Sequence, residues 1–186
     1  MNLLNYLSQS SDVILSCASH SKELSGAVDA CVESLNDGNT IFWAGNGGSA
    51  AEAQHLSAEL VGRFVVESLP YRSVALTVDT SAITAIGNDY GFDSIFSRQL
   101  EGLGRCGDIV IAFTTSGYSK NIVDLLKRSR DMGVHTICFT GENAGEVGQY
   151  SDILIQVQSS KTWFIQESHG VMGHFICANI EERMLA

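Results

Sequence analysis

Apolar residues follow two different spacings along the chain. From Asn2 to Asp37 they recur every three or four positions, as at Leu24, Val28 and Cys31. This period is typical of amphipathic helices. It predicts two helices, the second ending at Gly38, because glycine commonly follows the last turn of a helix.

Beyond Gly38 the pattern changes to short apolar runs rich in β-branched and aromatic residues. The runs occupy positions 40–44, 73–78, 108–113, 135–139 and 153–157. Continuous apolar runs are typical of strands buried on both faces, and most of these are separated by helix-length segments. We predict an α/β fold in which a parallel sheet lies between helices. A helix of several turns is expected at 163–184.

The length and composition indicate one globular domain, residues 1–186, of which 1–37 form the N-terminal helices. The chain has 186 residues, 45% of them hydrophobic and 17% charged, which excludes a disordered protein. Eleven basic residues against 21 acidic ones give a net charge of −10. This charge repels nucleic acid and anionic membranes, so neither is an expected partner.

The cysteine pattern indicates a reducing compartment. The five cysteines are widely spaced and form no CxxC pair, so we interpret them as small apolar residues. The N-terminus lacks the pattern of a signal peptide, and no apolar run is long enough for a membrane span. We therefore predict a cytoplasmic protein.

A glycine-rich loop follows the first predicted strand. Gly45, Asn46, Gly47, Gly48 and Ser49 lead into a helix expected to begin near position 50. Glycines let the backbone approach an anion, and the first N–H groups of a helix point towards it. The loop therefore predicts a phosphate site, although a glycine-rich turn without a ligand has the same sequence.

The same loop fits the relaxed dinucleotide fingerprint, with Gly45, Gly47 and Ala50 at the required spacing. That fingerprint needs an acidic residue about 20 positions later, at the end of the second strand. The predicted second strand ends at Asp79, more than 30 positions after Gly45. A nicotinamide or flavin cofactor is therefore the weaker interpretation.

A second loop, rich in hydroxyl groups, follows the predicted strand 108–113. Its sequence from Thr114 to Ser119 is TTSGYS, and a helix comes next. Hydroxyl groups and a helix N-terminus can hold a phosphate without a positive side chain. Ser and Thr also cap helices with no ligand present. Two such loops together favour a small phosphorylated ligand.

Imidazole and carboxylate groups occur on two predicted helices. His55 and Glu59 are four positions apart, so they share one helix face and suit either a shared metal or acid–base chemistry. A solvated polar pair has the same spacing. Near the C-terminus His169 and His174 are further candidates. A helical wheel places His174 nearer to Glu167 than to Gln166.

Four segments carry a resemblance to a known family. Residues 44–64, AGNGGSAAEAQHLSAELVGRF, closely resemble the phosphoheptose isomerases of the sugar isomerase (SIS) domain family. Residues 85–92, 114–119 and 165–169 support this resemblance, which extends over nearly the whole chain. It implies a three-layer αβα sandwich with a five-stranded parallel sheet, and a homotetramer with active sites between subunits.

The resemblance also implies a reaction and a set of site residues. The reaction would convert sedoheptulose 7-phosphate into D-glycero-D-manno-heptose 7-phosphate through an enediol, as the first step towards the nucleotide-activated heptose of lipopolysaccharide or capsule. Glu59 and His174 would carry the protons. One zinc ion per subunit would be held by His55, Glu59, Gln166 and His174. The substrate would contact Asn46, Gly47, Gly48, Ser49, Glu59, Asn88, Asp89, Thr114, Thr115, Ser116, Ser119 and Gln166.

Two departures from the family pattern leave alternatives open. Trp163 and Phe164 stand where many relatives have a charged residue, which raises the possibility of another ketose phosphate as substrate, and Thr114 replaces a common Ser. Some related SIS-domain proteins bind a replication initiator without catalysis, and those lack part of the acid–base pair. Because Glu59 and His174 are both present, catalysis is the preferred interpretation.

Overall fold

The computed structural model describes residues 2–186, which form seven α-helices and five strands. The helices are α1 (Leu3–Ser16), α2 (Ser21–Asn36), α3 (Gly48–Val61), α4 (Thr80–Tyr90), α5 (Ser97–Leu103), α6 (Lys120–Asp131) and α7 (Thr162–Met184). The strands are β1 (Ile41–Gly45), β2 (Ser73–Ala75), β3 (Ile109–Phe113), β4 (His135–Thr140) and β5 (Ile153–Gln156). Within residues 2–186, no helix has both the length and the apolar character needed to cross a bilayer.

The sheet is parallel throughout, as predicted, with the strand order β2-β1-β3-β4-β5. After β1 the chain adds β2 on one side, and it then returns to add β3 on the other side. The order therefore reverses between β1 and β3. In open α/β sheets, ligands bind in the crevice beyond the carboxyl ends of the strands at such a reversal.

Helices cover both faces of the sheet, which confirms the predicted three layers. Alternate strand residues point to opposite faces. Trp43 and Phe113 belong to a core shared with α2, α3 and α7. Phe42 and Ala112 belong to a second core shared with α5 and α6. The helices that follow β1 and β3 thus lie on opposite sides of the sheet.

The N-terminal helices are confirmed, joined by a short 3₁₀ turn at Cys17–His20. The oxygen of the Asn2 side chain accepts a hydrogen bond from the Asn5 N–H group at 2.9 Å, and this caps α1. The Tyr6 ring packs on Phe164, with ring centroids 5.2 Å apart, and holds α1 against α7.

The second strand is shorter than predicted, because it ends at Ala75 rather than at position 78. It lies at the edge of the sheet and pairs only with β1. After the Leu76 N–H group donates to the Trp43 carbonyl, the chain turns. The Asp79 side chain then caps α4 by accepting from the Ala82 N–H group at 2.9 Å.

Four of the five free cysteines are buried, as expected for small apolar residues, and Cys106 is exposed. Burial raises the pKa of Cys138 and of Cys177 to about 12. Because thiolates are the reactive form of cysteine, these two buried thiols are chemically inert near neutral pH.

Candidate active site

The glycine-rich loop leaves β1 and enters α3 within three residues. The helix begins at Gly48, two positions before the expected start, with Gly47 as the preceding residue at a φ of +57°. Glycine adopts this left-handed conformation without a steric penalty. Asn46 is half-buried and Ser49 is buried. The first N–H groups of α3 therefore point out of the sheet edge beside exposed glycines.

The hydroxyl-rich loop leaves β3, the neighbour of β1, at the same edge of the sheet. The buried Thr114 hydroxyl accepts from the Gly117 N–H group and lies 3.3 Å from the Ser119 hydroxyl. The exposed Ser116 hydroxyl accepts from the Tyr118 N–H group at 3.2 Å. The loop then enters α6. The N-termini of α3 and α6, each preceded by a loop with glycine and hydroxyl groups, therefore follow two neighbouring strands.

Helices α3 and α7 pack side by side and run in the same direction. Three pairs of residues bring them into contact, and each pair lies about one turn further along both helices than the pair before it. A Cβ added to one glycine in each pair would meet the partner side chain: Gly48 with Gln166, Gly170 with Glu52, and Gly173 with Leu56. Glycine is needed at Gly173, where the added Cβ would overlap the buried Leu56 side chain, whereas at Gly48 and Gly170 it would meet only the ends of flexible side chains. The close approach brings side chains from distant parts of the chain together.

Three metal-binding side chains meet on this helix pair. The His55 Nε2 and His174 Nε2 atoms are 2.8 Å apart, and the His55 Nε2 atom is 3.5 Å from Glu59 Oε1. One ligand atom from each residue lies within 4.8 Å of the others. The two imidazole rings are perpendicular, with centroids 4.9 Å apart. His55 and Glu59 are thus more than a solvated pair, because His174 completes a three-residue cluster.

The donor set of this cluster fits zinc. Two histidines and one glutamate are a common ligand set of catalytic zinc sites, in which the fourth position is open to water or substrate. His55 is exposed, and Glu59 and His174 are half-buried, so a small ligand can reach all three. The fit rests on the chemistry and the convergence of the three donors.

Glu167, which the helical wheel places nearer than Gln166 to His174, is engaged by α1 rather than by the histidine cluster. Its carboxylate accepts hydrogen bonds from the Tyr6 hydroxyl and from the Ser10 hydroxyl, the latter at 2.6 Å. These contacts fix Glu167 against α1. A wheel gives only angles on one helix and contains no information about the helix packed beside it.

Gln166 lies at the glycine-rich loop. A Cβ on Gly48 would meet the Gln166 amide nitrogen at 2.6 Å. Residues eight apart on a helix are about 12 Å apart along its axis. Within one chain, Gln166 is therefore placed beside the predicted phosphate site rather than beside His174.

A buried carboxylate fixes the segment that follows α3. Glu181 accepts hydrogen bonds from the backbone N–H groups of Phe64, Val65 and Val66 at 3.0–3.1 Å. The Phe64 ring then packs on the His174 ring, with centroids 5.8 Å apart. The sequence pattern did not identify Glu181, because a carboxylate near a helix end normally indicates solvent exposure.

Glu52 is a second acidic group that the sequence analysis did not assign. It lies half-buried between the Gln166 contact and the histidines, and its Oε1 atom is buried with no hydrogen-bond partner. Burial raises the pKa of Glu52 above its ordinary value, and the nearby His55 and His174 partly oppose this. Its spacing from His55 was visible in the sequence, but its burial depends on α7.

The remaining predicted substrate residues do not all join this edge. Asn88 and Asp89 are exposed near the end of α4, and the Asn88 amide donates to Asp89 at 2.7 Å. No side chain of α4 is buried. Thr115 is half-buried in the loop after β3. Asn88 and Asp89 thus present their polar groups outward from the chain.

The aromatic residues at the start of α7 have different surroundings. Phe164 is buried against Tyr6, and Trp163 packs edge-on against Phe164 while remaining half exposed. Phe164, which departs from the family pattern, therefore packs against α1 and does not line the site at the sheet edge.

His169 is a core residue. It is buried between Phe113 and Phe139, and one ring nitrogen lies 3.2 Å from the Thr140 carbonyl oxygen. Burial lowers the pKa of His169 to about 4, so the ring is neutral at pH 7. His20 and His135 lie beside Glu23 and Asp152, away from the cluster.

Comparisons with known proteins show the family of the chain. Residues 5–141 match the model of the SIS domain family. A phosphoheptose isomerase of Aquifex aeolicus is 52% identical over 148 residues, which cover 80% of this chain and 78% of the relative. One of Akkermansia muciniphila is 46% identical over 167 residues, or 90% of this chain and 88% of the relative. The chain belongs to the phosphoheptose isomerase family of SIS-domain proteins.

A solved structure of a member of this family has the same fold along its whole length. The phosphoheptose isomerase from Francisella tularensis superposes with a TM-score of 0.93 at 33% identity, covering 98% of this chain and 100% of that one. The N-terminal helices are therefore part of the shared architecture.

Proposed function

We propose that this protein interconverts sedoheptulose 7-phosphate and D-glycero-D-manno-heptose 7-phosphate. The observation that carries the proposal is the separation of two features along α3. The phosphate loop opens the helix at Gly48, and His55 lies seven residues further on, about 10 Å along the axis. An extended seven-carbon sugar phosphate has about this length, so it can reach from the loop to the cluster.

The phosphate end of the substrate is bound by the two loops. The N–H groups at Gly47 and Gly48, the side chains of Asn46 and Ser49, and the hydroxyl-rich loop supply the donors. In that loop they are Thr114, Thr115, Ser116 and Ser119. Gln166 beside Gly48 supplies an amide. Because the phosphate is remote from the reacting carbons, its binding energy orients the sugar for the chemical step.

Proton transfer occurs at the other end of the substrate. The Glu59 carboxylate takes a proton from C1 while His174 protonates the oxygen on C2, which gives the enediol. Glu59 then returns the proton to C2 and His174 takes the proton from the oxygen on C1, which leaves the aldehyde. Each group regains its starting state. A positioned acid or base typically contributes roughly 10²–10⁴ in rate.

His55, Glu59 and His174 would hold a zinc ion, and the protons would then be carried by the second carboxylate oxygen of Glu59 and the second ring nitrogen of His174, because an atom that binds the metal cannot also carry a proton. When bound, zinc polarises a carbonyl oxygen as a Lewis acid. We also propose that Gln166 contributes to the metal site. Since Gln166 of the same chain lies beside Gly48, a rearrangement or another subunit would have to bring its amide to the cluster.

We infer a homotetramer with active sites shared between subunits. Asn88 and Asp89 present their polar groups outward on a helix with no buried side chain, which suits contact with the substrate of a neighbouring subunit. The free cysteines suit the reducing environment of the cytoplasm, which we propose as its location.

Incubation with sedoheptulose 7-phosphate tests the proposal, with the heptose product followed by NMR. We expect turnover by the wild-type protein, loss of activity on chelation, and recovery with zinc. Glu59→Gln and His174→Gln should each lower kcat by roughly 10²-fold or more. Shorter ketose phosphates are tested in parallel, and faster turnover of one of them would favour the alternative that the substrate is another ketose phosphate.

The matched controls are Glu182→Gln, an exposed carboxylate on α7, and His135→Gln, at the opposite end of the sheet. Both should keep wild-type kcat. Wild-type turnover by Glu59→Gln would contradict the assigned role. No turnover of sedoheptulose 7-phosphate by the zinc-loaded wild type would exclude the function itself.

A further inference from the structure

Asn121 links the two loops of the candidate phosphate site. It is the second residue of α6 and is 2% exposed. Its side-chain nitrogen donates to Asn46 Oδ1 at 2.8 Å, and the Asn46 nitrogen donates to Asn121 Oδ1 at 2.9 Å. The two amides thus form a reciprocal pair between the loop after β1 and the helix after β3.

The pair lies where the strand order reverses. Helix α3 follows β1 on one face of the sheet, and α6 follows β3 on the other face. The first turns of these helices belong to different layers, with separate apolar cores. The Asn46–Asn121 pair is therefore a polar contact that joins the two layers beyond the strand ends.

The reciprocal bonds also fix what Asn46 offers to a ligand. A carboxamide has two N–H donors and one oxygen acceptor. The pair uses one N–H group of Asn46 and occupies its oxygen, so the second N–H group remains for an anion. Without Asn121, the Asn46 side chain could rotate and present its oxygen, which repels phosphate.

We propose that Asn121 is a positioning residue, which acts through Asn46 to hold the two loops as one phosphate site. The identity of the sugar phosphate rests on the proposed function, whereas binding of the phosphate group does not. The phosphate-binding groups themselves lie on the loops, and Asn121 sets the distance and orientation between them.

A double-mutant cycle tests this role, using Asn121→Ala, Asn46→Ala and the double variant. The measurements are KM and kcat for sedoheptulose 7-phosphate, and the Kd of inorganic phosphate by calorimetry. We expect Asn121→Ala to raise both KM and the phosphate Kd roughly tenfold, with kcat changed less than about threefold. In the Asn46→Ala background, the same change should alter them less than about twofold.

Ser129→Ala is the matched control, because Ser129 is also buried on α6 and its hydroxyl bonds only within that helix, to the Leu125 carbonyl. It should lower the melting temperature without changing the phosphate Kd. Equal effects of Asn121→Ala with and without Asn46 would overturn the proposal, as would an unchanged Kd. If the wild type binds phosphate but does not isomerise the sugar, the proposed function fails, and the calorimetric cycle still decides the role of Asn121.

Discussion

His169 shows how one buried side chain couples stability to pH. Its ring lies between two phenylalanines in the core, and burial lowers its pKa to about 4, from an ordinary value of 6.5. Below pH 6.5 the unfolded chain binds a proton that the folded chain does not bind. This contribution to stability is therefore present above pH 6.5 and is lost as the pH falls towards 4.

The expected loss of unfolding free energy from this residue is roughly 3 kcal/mol between pH 6.5 and pH 4. His169→Phe should remove it, because a phenylalanine ring fills the same space and cannot be protonated. The Thr140 carbonyl keeps its hydrogen bond from the Val157 N–H group. Urea unfolding at pH 7.5 and pH 4.5 measures the change. An equal loss in both proteins would contradict the assignment.

The helix pair α3–α7 is the element that assembles the site. Gly173 allows the two helix axes to approach, and this approach, rather than any local motif, places His55 Nε2 2.8 Å from His174 Nε2. The hydrogen bonds that Glu181 of α7 accepts from the backbone of the segment after α3 also join these two parts of the chain.

Gly173→Ala should separate these helices, because the added methyl group would overlap the Leu56 side chain. We expect a loss of about 1–3 kcal/mol in unfolding free energy. We also expect at least a tenfold loss of turnover, since the histidines would move apart. Chemical denaturation and NMR product assays measure the two effects.

The control for this prediction is Gly102→Ala in α5, where an added Cβ has no neighbour within 4 Å. Alanine favours a helix over glycine by up to about 1 kcal/mol, so this variant should be at least as stable as the wild type. Equal destabilisation by both substitutions would show that close packing is not the cause.

The sequence predicted the elements better than it predicted their contacts. Continuous apolar runs located the five strands, because burial on both faces of a sheet needs them, and the three-to-four-residue apolar period located the N-terminal helices. The edge strand β2 was overextended, because Leu76 and Val78 continue the apolar pattern past the last pairing with β1.

Local sequence patterns could not predict the long-range contacts within the site. The resemblance identified His174, and spacing identified the His55–Glu59 pair. Glu52, Phe64, Asn121 and Glu181 were missed. Each depends on a partner more than 70 positions away or on burial beneath another helix. A single sequence does not show which distant residues are in contact, so it could not identify the roles of these four side chains.

At the scale of the whole molecule, the chain exposes several large apolar side chains on α1 and on the segment after α3. Leu3, Leu4, Leu15, Val65 and Leu69 are each more than two thirds exposed. Leu3, Leu4 and Leu15 all lie on α1, and apolar side chains that share one exposed helix face suit contact with another chain. These exposed side chains support the proposed assembly of four chains.

Sedimentation equilibrium should therefore give a mass of about 80 kDa, four times the 20.0 kDa chain. The mass should stay constant at micromolar concentrations if the apolar faces are buried between copies. A mass of 20.0 kDa under these conditions would contradict the tetramer.

The turn-by-turn match between α3 and α7 also sets where the chain tolerates insertions and deletions. Deleting one residue inside either helix rotates everything beyond it by about 100°, which would misalign the phosphate end or the histidine end with the partner helix. The mostly exposed segment 67–70, between α3 and β2, lies outside this match, so a length change there leaves both ends aligned. Natural length variation in such proteins should therefore concentrate in the loops and spare these two helices.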